Sequence, residues 1–69
     1  MHKGKLVNPI AAKTYMEPGP YVVVRSQYEI NLSHVVKGSK VTQAVLCVDL
    51  LAPTGEVIKG VACNILEYV

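Results

Sequence analysis

Residues 21–36, YVVVRSQYEINLSHVV, decide how this chain folds. Alternate positions place Val22, Val24, Ser26, Tyr28, Ile30, Leu32, His34 and Val36 on one side. Tyr21, Val23, Arg25, Gln27, Glu29, Asn31, Ser33 and Val35 fall on the other. A period of two sustained over that span marks a β-strand with one apolar face. The run is long for a strand, so a bend or bulge is expected near Arg25-Ser26-Gln27.

Working outward, Lys37-Gly38-Ser39-Lys40 follows the run. Gly38 then Ser39 at the centre suits a two-residue type II′ hairpin turn. That register sets Val36 opposite Val41, Leu32 opposite Val45 and Ile30 opposite Cys47, all on the face read as buried. A second strand, Val41 to Leu51, leads into Ala52-Pro53-Thr54-Gly55-Glu56. This stretch has the proline and glycine of a three-residue hairpin loop with a bulge. Threading it sets Leu51 against Val57, Asp49 against Lys59, Cys47 against Val61 and Val45 against Cys63. Val41, Val45 and Val48 also share helical spacing, but the density of valine and the Pro-Thr-Gly turn favour sheet.

Upstream, Glu17-Pro18-Gly19-Pro20 excludes helix, because proline removes a donor and fixes φ. Lys5-Leu6-Val7 and Lys13-Thr14-Tyr15-Met16 are candidates for short strands. The expectation is one all-β domain over residues 1–69. Residues 1–19 form a less regular segment, and residues 20–69 an antiparallel meander of three long strands. One or two short N-terminal strands join an edge, and the sheet is open to curling into a partly open barrel.

Composition adds a demand for cover. The chain has 69 residues, of which 51% are apolar and 17% charged. Soluble domains average roughly a quarter charged, and a chain this short has proportionally more surface to solvate. The second face of the last two strands is itself apolar: Ala44, Leu46, Val48 and Leu50, with Ile58, Ala62, Leu66 and Tyr68. A lone antiparallel sheet buries one face and wets the other. Leu46, Val48, Leu50, Ile58, Leu66 and Tyr68 are therefore the expected contact surface for a second copy or a protein partner. On that reading Leu50→Glu breaks association.

Chemistry is sparse. The acids Glu17, Glu29, Asp49, Glu56 and Glu67 are scattered, with no pair spaced for acid–base work. His34 is read as a partly solvated strand-end histidine, and His2 carries no weight. Cys47 and Cys63 share a face but lie diagonally, too far apart for an undistorted disulfide, and are read as buried thiols. Gly38-Ser39-Lys40 lacks the upstream glycine and following helix of a phosphate loop. No catalytic residue, metal site, cofactor or small-molecule substrate is expected, and the chain is read as not an enzyme.

No run of about 20 apolar residues is present to span a membrane, and Leu6-Val7-Asn8-Pro9 breaks any signal-peptide core. Two cysteines without a secreted-protein framework fit a reducing compartment. The expected setting is cytoplasmic or virion-associated.

The functional expectation is a structural or interaction protein acting as a homo-oligomer. A small virus or phage assembly component, or an inhibitor of a larger target, has this character. The alternative is a small OB-like binder of single-stranded nucleic acid, with Tyr21 and Arg25 as a stacking platform and Lys37 and Lys40 on the phosphates. Glu29 on the same face and a net charge of only +2 weigh against it.

Overall fold

The computed structural model describes residues 1–69 as a single five-stranded antiparallel sheet. Its strands are β1 (Leu6–Pro9), β2 (Tyr21–Val36), β3 (Ser39–Leu51), β4 (Val57–Ala62) and β5 (Leu66–Tyr68), with a 3-10 turn at Cys63–Ile65. The order across the sheet is β4-β3-β2-β1-β5. The sheet does not close into a barrel; β4 and β5 are its two edges. The meander expected from the alternation is present as β2, β3 and β4. Of the two N-terminal candidates only the first is a strand, extended to Pro9, while Lys13–Met16 is irregular. The last run does not continue as one long strand. It breaks at Cys63–Ile65 and returns as β5, which pairs with β1.

Both turns are formed, one of them shifted. Lys37 and Gly38 have φ of 51° and 79°, so they are the two central residues of a type I′ turn. Val36 consequently pairs with Ser39, Leu32 with Gln43, Ile30 with Val45 and Tyr28 with Cys47. The expected Gly38-Ser39 turn placed this register two residues away. A shift by two leaves every side chain on its own face, so the pattern alone does not separate the two registers. The Ala52–Glu56 loop closes as read: Ala52 N–H donates to Glu56 O at 2.8 Å and Gly55 N–H to Ala52 O at 2.9 Å. Leu51 faces Val57 as expected.

The core lies at one end of the molecule. It joins Val7 from β1, Tyr21 and Val23 from β2, Val48 and Leu50 from β3, Val61 from β4 and Leu66 from β5, with Ala52. Every strand contributes, because the short strands β1 and β5 bring their side chains onto the face of β2 and β3 that carries Tyr21, Val23, Val48 and Leu50. That corrects the face assignment. In this half of the sheet the inner side of β2 is Tyr21 and Val23, both buried, whereas Val22 and Val24 are only half-buried. Only ten of the 69 residues are buried, so the core is small even for this length.

Three irregularities lie at the boundary of that core. The β2–β3 register shifts between Val23 and Arg25 and again between Arg25 and Tyr28, where the bend was expected. The β3–β4 register shifts between Val48 and Leu50, so Asp49 does not pair with Lys59 as the regular threading implied. Gly60, with φ of 69°, takes up the extra residue there, a conformation that glycine adopts without steric cost.

Candidate interaction surface

Beyond the bulges, β2 and β3 leave the body as a two-stranded arm. Glu29 pairs with Leu46 and the ladder continues without a break to Val36 and Ser39. Every residue from Asn31 to Ala44 is exposed. β1 reaches β2 only at Tyr21 and Val22, and β4 reaches β3 only as far as Cys47. The sixteen residues of β2 and thirteen of β3 simply outrun the four, six and three residues of the other strands. The molecule is accordingly elongated, 42 × 23 × 19 Å.

The two faces of the arm differ. Pairing brings Ile30, Leu32, His34 and Val36 to the same side as Val41, Gln43 and Val45. Leu32, Val36 and Val41 on that side are 50%, 45% and 40% exposed. The opposite face carries Glu29, Asn31, Ser33 and Val35 with Lys40, Thr42, Ala44 and Leu46, and the Ser33 and Thr42 hydroxyls lie 3.4 Å apart across it. The apolar side of the alternation, which the sequence reading took for the core face, is thus uncovered on the arm, and so is the opposite face, where Val35 and Leu46 are exposed.

The root of the arm is pinned by polar contacts. Asp49, buried on β3, accepts the Tyr28 hydroxyl at 2.6 Å and the Gly60 N–H at 3.0 Å through the same carboxylate oxygen. The Arg25 guanidinium lies 3.8 Å from the Tyr28 ring centroid, in cation–π range. The Tyr28 hydrogen bond, helped by the Gly60 N–H, holds the Asp49 carboxyl below its ordinary range. The same bond pushes the Tyr28 phenol above its own. From the N-terminal segment, Lys3 N–H donates to Ser26 Oγ at 2.9 Å, Gln27 N–H donates to Met1 O at 2.9 Å, and the terminal ammonium donates to Gln27 Oε1. These contacts occupy the bulged edge of β2 and leave the edge beyond it free.

The six residues expected to form a contact surface do not form one. Val48 and Leu50 are fully buried and Leu66 is buried, all three in the core. Ile58 packs against that core, and only Leu46 and Tyr68 are exposed. The physical reason is the fold-back of β1 and β5, which supplies from within the chain the cover assigned to a partner. Leu50→Glu would therefore unfold the protein. The nucleic-acid set is also dispersed. Tyr21 is 3% exposed and its hydroxyl donates to Glu17 O at 2.7 Å, so its ring offers no stacking surface. Arg25 sits at the root of the arm, Lys37 and Lys40 at its tip.

Cys47 and Cys63 are both free thiols. Cys47 is paired with Ala62, which leaves Cys63 in the 3-10 turn, where burial pushes its thiol pKa up. His34 is exposed and pairs with Val41. No group of three or more His, Cys, Asp or Glu side chains is placed to hold a metal ion, and no helix is long and apolar enough to cross a membrane. No family model, curated protein or solved structure matches this chain.

The residues that sequence reasoning missed are those of the arm, Leu32, Val36 and Val41 above all. Two signals for them were present. From Ile30 to Val48 the chain contains no acid, and the only charged side chains there are Lys37 and Lys40. The two long runs, residues 21–36 and 41–51, also leave few residues elsewhere in a 69-residue chain to pair with them.

Proposed function

We propose that this chain is a non-enzymatic assembly protein that self-associates through the 30–46 arm. The observation that supports this reading is the uncovered apolar side formed by Leu32, Val36 and Val41 between Ile30 and Val45. An isolated two-stranded hairpin is marginal in water, and exposed contiguous apolar surface in a small protein marks a contact site. Each square ångström of that surface removed from water contributes about 25 cal/mol. Covering it therefore favours association and stiffens the arm at once. A small structural component of a virus or phage particle, or a modulator of a larger protein, is the kind of molecule that carries such an arm. A cytoplasmic or virion-associated setting goes with the same reading.

Sedimentation velocity from low micromolar to near-millimolar concentration tests it. The expected result is a reversible rise in sedimentation coefficient, abolished by Leu32→Glu with Val41→Glu while the far-ultraviolet circular dichroism of the body is kept. A wild-type protein that stays monomeric across the range overturns self-association. Salt-sensitive retention of single-stranded DNA or RNA by such a monomer would move the reading to nucleic acid.

A further inference from the structure

We infer that the self-association is head-to-tail: the tip of one copy's arm seats in an acidic groove at the opposite end of the next copy. This rests on the reading of the arm as a self-association element, and it adds what the arm meets.

The groove lies between the segment that enters β2 and the loop that joins β3 to β4. Met16, Tyr21, Pro53 and Ile58 contribute apolar atoms to its lining, Glu17 and Glu56 stand on it as exposed carboxylates, and its volume is about 410 Å³. No lysine, arginine or histidine lines it. Its wall is held in place, since the Tyr21 hydroxyl donates to Glu17 O and Met16 packs against the core.

Charge gives the occupant. Lys37 and Lys40 are the only charged side chains between Ile30 and Val48, and the other five basic side chains of the chain balance its five acids. The whole formal net charge of +2 therefore belongs to the arm tip. Val36 and Val41 on one face of the tip, and Val35 across from Lys40 on the other, are all exposed and supply apolar atoms of the kind that line the groove. A cationic tip with apolar flanks meets an apolar cleft edged by two carboxylates. Complementary charge of this sort directs partner choice and register, and apolar burial supplies the affinity.

Geometry excludes the chain's own groove. β3 starts at the tip, with Ser39, and ends beside the groove, with Leu51, so the two features lie at opposite ends of a molecule 42 Å long. The groove must therefore be a second copy's. Because the two surfaces differ, the contact is heterologous, and it repeats into a ring if the rotation closes or a filament if it does not.

The test uses two charge-reversed proteins, Lys37→Glu with Lys40→Glu and Glu17→Lys with Glu56→Lys, alone and mixed, read by sedimentation velocity in low salt. All four side chains are exposed, so circular dichroism should match the wild type. Should either protein fail to fold, the glutamine replacements test the weakening of each variant alone, each expected to associate less tightly than wild type. Alone, each is expected to associate about tenfold or more weakly than wild type, and mixing them is expected to restore association through the reversed pairs. If the groove variant associates like wild type while the arm variant does not, the arm meets another surface, such as a second arm; the head-to-tail contact falls and the assembly reading stands. If both variants associate like wild type, the head-to-tail contact falls as well. If the wild type itself never associates, both fall together.

Discussion

At Asp49 a single carboxylate meets the bulged stretches of two neighbouring strands. One oxygen takes the Tyr28 hydroxyl from β2 and the Gly60 N–H from β4, and both donors stand beside register shifts. The carboxylate thereby satisfies an amide that the bulge removes from the ladder. A regular register would have spent Asp49 on an exposed pair with Lys59. Because the Asp49 pKa is lowered on folding, chiefly by the Tyr28 hydrogen bond, its stabilising contribution is complete above the ordinary carboxylate range. It is lost as pH falls through the lowered folded value. The Tyr28 phenol is shifted the other way, so its contribution is present below the ordinary phenol pKa and lost as pH rises through the raised one. Tyr28→Phe should lower stability at neutral pH and make the loss of stability below the ordinary carboxylate range shallower, measured by urea titration at each pH. Leu50 acts differently: it is fully buried and central to the core, so Leu50→Ala should cost about 2–5 kcal/mol in the same titration.

Among the elements, the arm is the one whose stability the body does not support. It has no backbone partner on either outer edge beyond the bulges, and no residue from Asn31 to Ala44 is covered. Local opening free energy follows burial and pairing. Amide hydrogen exchange of dilute protein should therefore be fast throughout 31–44 and slow in β1, the first residues of β2 and the last of β3. At concentrations where the protein associates, protection should appear in the arm; arm amides equally fast in both conditions would mean that the arm is not the contact. This element was also the most legible one and the most misread. Alternation identified the strands, and Lys37-Gly38-Ser39-Lys40 and Pro53-Thr54-Gly55 identified the turns. A period of two states that two faces differ, not which of them is covered. The answer depended on β1 adding to the edge of β2 and β5 to β1, which brings Val7 and Leu66 into one core with Val48 and Leu50, a pairing of chain ends that no local pattern encodes. Gly60 likewise reads as an ordinary strand residue until Asp49 is seen to hold its amide.

For the molecule as a whole, the division is between a small body that hides its apolar side chains and an extension that does not. Ten buried residues are few for a stable chain, and stability that rises with protein concentration follows if association covers the arm. The surplus of apolar composition was legible as a need for company. Its location was not: the pattern puts Leu32 and Val36 on the face read as buried and Val48, Leu50 and Leu66 on the face read as a contact surface, the reverse of their places in the fold. The charge-reversal comparison belongs at this scale, since it asks how separate copies are ordered rather than how one is held together.

The arm's independence from the core also makes it a spacer of adjustable length. Its ladder is unbroken from Glu29 to Val36 and ends in a two-residue turn, so matched insertions in β2 and β3 would move the tip outward without disturbing Val7, Val23 or Leu50. Reach would change in increments of two residues per strand, about 7 Å, because an odd insertion would rotate Val36 and Val41 to the other side relative to the root. Subunit spacing in any assembly built through the arm could thus be reset stepwise by hairpin length, with the folding of the body unchanged.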